Sequence, residues 1–369
     1  MLSETPSGVN THGRGRLLNL ALLVASTAAA LVLSEIVLRL MGWSPMYVSP
    51  ERDRFWRYDP LLGWAHLPGQ EGVLETPQFR ISVRINQHGL RDTEHLYERP
   101  SGAKRILLLG DSFAWGYGVE AEERFSQRLE ASSGVEVINA AVSGYSTDQE
   151  LLWLRTEGVK YEFDFMILAL AGNDIGDNHR QLVHTIYYKP QFVTDGNQLV
   201  LQGYPAPRTS PQGKLTYWLS QRSALAFFLV QRYFDLQSSY QDFRGNSREA
   251  EASANGPDIA SMPFDLTIAL LDEMRRIAES RDAPFVIVAT KQWWNAPPGA
   301  TYQDFIAALR AERYSVLDVE TVPGFDTETM VIPGDGHWNP AGHEFVAEQI
   351  QNLIGTQQLL NESESAAPR

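Results

Sequence analysis

The chain has no cysteine among its 369 residues. A disulfide framework, a thiolate nucleophile and a cysteine-ligated metal centre are therefore excluded. Basic charge is also short: 31 Lys and Arg stand against 45 Asp and Glu, a formal net charge of −14. Nucleic-acid binding rests on basic patches, so no nucleic-acid partner is expected. The same balance gives no attraction to an anionic membrane surface. Histidine is sparse and scattered, 8 in all, without the paired spacing of a metal site. Neither a metal nor any other cofactor is predicted. There is no internal repeat, and the only low-complexity stretch is the polar tail after Asn361. What remains is ordinary globular material, 43% hydrophobic and 21% charged, with ample side chains for a core.

Long apolar runs are absent but for one. It extends from Leu17 to Leu33, interrupted only by Asn19, Ser26 and Thr27, and continues through Ser34-Glu35-Ile36-Val37-Leu38-Arg39-Leu40. As a helix, Leu17–Leu40 extends about 36 Å, enough to cross a hydrocarbon core of about 30 Å. Glu35 and Arg39 are four apart, so they share a helix face and can pair at the far interface. A cleaved signal peptide would end near Ala28-Ala29-Ala30, yet the apolar run goes on past it. The leading tail is short, and large downstream domains translocate largely regardless of charge. The expected arrangement is a cytoplasmic tail over 1–16 and a signal anchor over 17–40. The remainder then lies on the periplasmic side of the inner membrane.

Residues 45–100 hold Phe79-Arg80-Ile81-Ser82-Val83-Arg84-Ile85, which alternates like a half-exposed strand. This predicts a small lead-in region of antiparallel strands. From Lys104 the pattern changes. Apolar strand candidates lie at Ile106–Leu109, Val135–Ile138, Phe165–Leu170, Phe285–Ala289 and Val316–Val319. Helical patterns fall between them, near 122–132, 147–158, 264–281, 301–312 and 340–355. Such alternation predicts a parallel sheet with helices on both faces, an α/β domain over 104–355. Residues 176–262 interrupt the rhythm and read as an insertion. They contain a hairpin, 191–200, turning at Asp195-Gly196, and an apolar helix around Tyr217–Leu236. Residues 239–258 are rich in Ser, Asn, Gly and charge, and read as flexible. Residues 356–369 form the polar tail.

Chemistry collects where the strands end. The first strand stops in Gly110-Asp111-Ser112. Alone this means little, since Gly-Asp-Ser arises by chance in roughly one chain in ten of this length. Three further segments change that. Asn139-Ala140-Ala141-Val142-Ser143-Gly144-Tyr145 follows the second strand, and Gly172-Asn173-Asp174 the third. Gly334-Asp335-Gly336-His337-Trp338-Asn339-Pro340 precedes the last helix. Ser112 supplies a hydroxyl, His337 a base, and Asp335 a carboxylate to orient it. The Gly144 N–H and the Asn173 amide can serve a developing oxyanion. His343 competes for the base role, but it lies inside the helix rather than at the loop edge. Asp111 reads as a brace for the turn.

These four ordered blocks resemble the SGNH/GDSL hydrolase superfamily. The resemblance covers about 104–175 and 263–355. It implies a three-layer αβα sandwich on a mostly parallel five-stranded, flavodoxin-like sheet. It implies Ser112 as nucleophile and His337 as catalytic histidine. It also implies an oxyanion hole from Ser112 N–H, Gly144 and Asn173. Two departures stand out. Asp335 and His337 are separated by one residue where the family usually has two, which resembles the Asp-x-His-Trp pattern of bacterial proteins that handle acetyl groups on exopolysaccharides. Ala141 stands where many members have glycine. The segment Ile85-Asn86-Gln87-His88-Gly89-Leu90-Arg91-Asp92 is similar to one found in membrane-anchored members.

Aromatic residues flank the blocks. Trp115, Tyr145, Trp293, Trp294 and Trp338 are the candidates for contact with a sugar-bearing substrate, with Tyr117 beside them. The expected activity is a serine esterase removing short acyl, chiefly acetyl, groups from an envelope glycan. An O-acetyltransferase, a lipase or thioesterase, and a non-catalytic glycan-binding assembly factor remain the alternatives.

Overall fold

The computed structural model describes residues 11–47, 52–99, 102–183, 187–196, 198–233, 236, 264–296 and 299–356. The predicted flexible stretch 239–258 and the tail beyond 356 lie outside the described residues. Helix α1 (Thr11–Leu40) is followed by α2 (Arg52–Phe55) and two antiparallel hairpins. These are β1 (Trp56–Asp59) with β2 (Gly63–His66), and β3 (Glu71–Glu75) with β4 (Arg80–Arg84). Next come β5 (Arg105–Gly110), α3 (Ser112–Trp115), α4 (Phe125–Ser133), β6 (Glu136–Asn139), α5 (Thr147–Thr156), β7 (Phe165–Leu170) and α6 (Asp174–Asp177). The insertion contributes β8 (Leu182–Val183) with β9 (Tyr187–Tyr188), and β10 (Gln191–Asp195) with β11 (Gln198–Gln202). It adds α7 (Pro211–Ser220) and α8 over 224–233. The chain closes with α9 (Asp265–Glu279), β12 (Phe285–Ala289), α10 (Tyr302–Ala311), β13 (Ser315–Asp318) and α11 (Pro340–Thr356).

The central sheet is parallel throughout, in the order β6-β5-β7-β12-β13. It is buried on both faces, which is why its strands read as unbroken apolar runs. On β5, Leu107 and Leu109 enter one core with Leu151 and Leu154 of α5 and Leu270, Leu271 and Met274 of α9. Ile106 and Leu108 enter the other with Phe125 and Leu129 of α4 and Val346, Ile350 and Ile354 of α11. Each such side chain contributes about 1.5–3 kcal/mol on burial, so the sheet is a rigid platform. The strand order reverses at β5, with β6 on one side and β7 on the other. Open α/β sheets bind ligands in the crevice outside the carboxyl ends at such a switch point.

The described residues fall into two compact units, 11–47 with 210–236, and 52–209 with 264–356. In the first, Leu18–Leu40 is a 23-residue stretch of mean hydropathy 2.2 with no part buried, long and apolar enough to cross a membrane. The single helix expected over Tyr217–Leu236 is two helices, α7 and α8, broken at 221–223.

Candidate active site

Ser112 stands at the start of α3, immediately after the carboxyl end of β5. Gly110 makes the turn possible. Its φ is +156°, and a Cβ there would lie 2.8 Å from the Ala114 Cβ and 3.0 Å from the Ala169 Cβ on the neighbouring strand. Asp111 caps the helix by accepting the Phe113 N–H at 2.9 Å. The Ser112 hydroxyl donates to the other Asp111 oxygen at 3.3 Å. Burial pushes the Asp111 carboxyl up to about 7, against the pull of those hydrogen bonds.

The last block explains its own short spacing. Gly334 and Gly336 both have left-handed backbones, at φ +75° and +98°. The chain doubles back, and one Asp335 oxygen accepts both the His337 N–H at 3.2 Å and the His337 Nδ1–H at 2.5 Å. A carboxylate only accepts, so Nδ1 carries the proton and Nε2 is left with its lone pair. Burial raises Asp335, but the hydrogen bond and charge of His337 outweigh it and hold the carboxyl below its usual range. Burial pulls His337 below the usual imidazole value, though Asp335 works against the shift.

The His337 ring packs against Phe113 at 5.1 Å, Tyr117 at 4.6 Å and, edge-on, Trp293 at 4.4 Å. Phe113 follows Ser112 directly, so the imidazole is seated at the Ser112 turn. Nε2 is buried and meets no hydrogen-bond partner among the described residues. Ser112 is turned toward Asp111, and no Ser112–His337 bond exists in this rotamer. Such bonds often tighten only when substrate is present.

The two candidate oxyanion donors follow β6 and β7, the strands that flank β5. The Val142 N–H donates to the Gly110 carbonyl at 3.1 Å, tying the Gly144 loop to the nucleophile turn. Asn139 buttresses both, its Nδ2 donating to the Ala114 carbonyl at 2.7 Å and to Ser126 Oγ at 2.9 Å. Asn173 Nδ2 donates to Asp177 at 3.1 Å and keeps a second hydrogen for another acceptor. Replacing Asn173 by Ala is expected to lower turnover of an activated acetate ester by about 10²–10³ with little change in KM. A loss confined to KM would assign the residue to ground-state binding instead.

The lead-in region holds this machinery in place. The buried Arg91 guanidinium donates to the carbonyls of Ser82, Trp115, Gly116 and Val119. Asp92 accepts the Asn139 N–H at 2.7 Å and pairs with His95 and Arg124. The segment 85–92, which offers no chemistry in the sequence, therefore braces the turn after Ser112.

The aromatic candidates need correction. Trp115, Tyr145 and Trp338 are at most 1% exposed and belong to the core. The Trp115 indole donates to His66 Nε2 at 2.9 Å, and the Tyr145 hydroxyl to the Trp64 carbonyl at 2.6 Å. Trp294 is half-buried against Phe264, Tyr302 and Phe305. Trp293 is different, 41% exposed and against the catalytic candidate His337. Its φ is +55°, in the left-handed region that is strained for a tryptophan. His343 is fully buried, stacked on Phe125 and accepting the Phe125 N–H at 3.2 Å. Burial, reinforced by Arg124, pushes it down to about 3.

One group escapes sequence reasoning altogether. Glu150 of α5 is buried with both oxygens lacking a partner among the described residues. Burial raises its carboxyl well above the usual range, and the charges of Asp111 and Asp148 add to the effect. Burial likewise raises Asp174, with Glu150 and Asp111 adding. Burial disfavours the charged forms of both carboxyls. Glu150 occupies an ordinary helical position, so nothing in its spacing marks it.

Residues 108–223 match the model of the GDSL-like Lipase/Acylhydrolase family. The chain carries a GDSL-like lipase/acylhydrolase domain. That family hydrolyses esters, and the matched stretch takes in Ser112, Gly144 and Asn173, while the His337 block lies beyond it. Among curated proteins none matches the chain. Solved structures similar to this chain include TesA, at 16% identity and a TM-score of 0.38 over 70% of this chain and 100% of that one. A lipase/acylhydrolase from Enterococcus faecalis is 14% identical with a TM-score of 0.38, over 69% and 96% of the respective chains. A two-domain esterase (CEX) active on acetylated mannans is 15% identical with a TM-score of 0.34, over 74% and 53%.

Proposed function

We propose that the protein is a serine esterase that removes short acyl groups, chiefly acetyl, from a cell-envelope glycan. The observation that carries the reading is the Asp335–His337 pair, with its free Nε2 seated at the Ser112 turn. In this reading the Ser112 hydroxyl turns from Asp111 to donate to Nε2. The imidazole takes the proton as Oγ attacks the ester carbonyl, and Asp335 stabilises the imidazolium. The Gly144 and Ser112 N–H groups and the Asn173 amide receive the oxyanion. Collapse releases the alcohol, protonated by His337, and leaves an acyl-serine. Water, deprotonated by the same imidazole, then releases the acid.

The glycan part of the reading rests on Trp293, an exposed flat ring beside the base, and on the short Asp335-Gly336-His337 spacing. In the same reading α1 spans the inner membrane with residues 1–16 in the cytoplasm and the catalytic unit in the periplasm. The test is a comparison of specificity constants for acetyl and decanoyl esters, each with and without a sugar as the alcohol. Acetylated oligosaccharides are expected to be preferred. Trp293→Ala should remove most of that preference and leave a simple aryl acetate almost unaffected. A preference for decanoyl glycerides would overturn the glycan reading in favour of a lipase. Acyl transfer to an added sugar that outpaces hydrolysis would make the enzyme a transferase.

A further inference from the structure

The insertion's two helices, α7 and α8, belong to the same compact unit as α1. What joins them is a carboxylate. Glu35 accepts the Ser223 hydroxyl at 2.8 Å, the Ala224 N–H at 3.0 Å and the Leu225 N–H at 2.9 Å. The two N–H groups are free donors at the N-terminus of α8, where Ser223 also accepts the Ala226 N–H at 3.0 Å, so a side chain of α1 adds to the cap of a helix some 190 positions away. The Arg39 guanidinium completes the set, donating to Glu35 at 2.7 Å. Further contacts lie just past the end of α1. Trp43 packs on Phe227 and Phe228, and the Met46 N–H donates to the Ser220 carbonyl at 2.8 Å.

The depth of Glu35 is the decisive point. It sits five residues inside the end of α1, about 7.5 Å short of Leu40 along the axis. A hydrocarbon core of about 30 Å measured from Leu18 ends close to Leu38. With α1 spanning from Leu18, the turn between α7 and α8 falls at the outer edge of the hydrocarbon rather than above it. A carboxylate at that depth is costly unless satisfied, and the α8 N-terminus satisfies it.

The outward face agrees. Leu215, Trp218 and Leu219 of α7 share one helix face at i, i+3, i+4 and are 57%, 50% and 41% exposed, and Leu229 of α8 is 55% exposed. Arg222 stacks over Trp218 at 4.3 Å and Arg232 over Phe228 at 5.4 Å. Aromatic rings and cationic side chains together are the composition of a bilayer interface.

We propose that α7 and α8 form a monotopic hairpin that inserts its apolar face into the outer leaflet beside α1, so that the insertion is a second membrane contact. This rests on the reading of α1 as a membrane span. The chain's lack of cysteine makes the test direct. Single variants Leu215→Cys, Leu219→Cys and Leu229→Cys of the full chain are spin-labelled in phosphatidylcholine nanodiscs. Leu23→Cys in α1 and Glu328→Cys on the exposed surface of the second unit serve as references. Each replaces an exposed side chain, so folding is not at stake. Collisions with oxygen are expected to exceed those with a water-soluble nickel chelate at 215, 219 and 229, as at 23, and the reverse at 328. Nickel dominance at the three hairpin sites with oxygen dominance at 23 would overturn the hairpin while leaving the anchor standing. Shielding from both reagents would overturn it in favour of a protein partner. Nickel dominance at 23 would remove the anchor and the hairpin with it.

Discussion

Ser112→Ala is expected to abolish turnover of an activated acetate ester, by about 10⁴-fold or more, while the protein stays folded. The two halves of that expectation have separate origins. In the proposed mechanism Oγ, at the carboxyl end of β5 where the sheet order reverses, carries the acyl group, and alanine has no atom to replace it. Structurally the hydroxyl does little: it makes one long hydrogen bond, 3.3 Å, to Asp111. Asp111 keeps its cap on the Phe113 N–H without it, so the loss of stability should stay within about 1 kcal/mol. A thermal melt and a fluorophosphonate label read by mass spectrometry separate the two. The wild-type chain should gain one adduct, at Ser112, and the variant none. Full activity in a variant with an unchanged melt would remove Ser112 from the mechanism.

The framework of this site was legible in the sequence because its signals are local. Leu107 and Ile106 point into different cores, so β5 had to be a run without polar interruptions, and its position is evident from composition alone. Asp335 and His337 are two residues apart, and the glycines beside Asp335 allow the return. The nucleophile turn is equally compact, from Gly110 to Phe113. A local reading also sufficed for the hairpin β10–β11, whose Asp195-Gly196 turn fixes the pairing.

What stayed hidden depends on distant partners. Trp115 follows Ser112 as a surface aromatic would. Its burial is set by His66, 49 positions earlier, and by the Arg91 guanidinium 4.4 Å over its ring. Tyr145 is closed in by Trp64 in the same way. The apolar stretch Tyr217–Leu236 has a continuous helical pattern. It breaks at 221–223, where Ser223 caps the second helix by accepting the Ala226 N–H at 3.0 Å; the added acceptor, Glu35, lies in no window around the insertion. Glu150 looks like any solvated helix residue until α5 packs against the sheet.

His337→Ala should be as damaging as Ser112→Ala, because without Nε2 the hydroxyl has no acceptor for its proton. His343→Ala should leave kcat/KM within a few-fold. It should instead lower stability by roughly 1–3 kcal/mol, since the buried Phe125 N–H loses its partner. The pH profile tells which imidazole works. The base must be neutral, so activity rises with pH as it loses its proton. Burial pulls His337 below the ordinary value of about 6.5, so the neutral form persists to lower pH and the midpoint of the rise should fall below 6.5. Asp111, pushed up to about 7, titrates nearby and could give a limb of its own. Asp335→Asn separates them. The Asp335 charge raises His337, so its removal should move the limb to still lower pH while turnover falls, and a limb belonging to Asp111 would not follow. A limb that stays in place in Asp335→Asn, or a collapse of activity in folded His343→Ala, would take the base role away from His337.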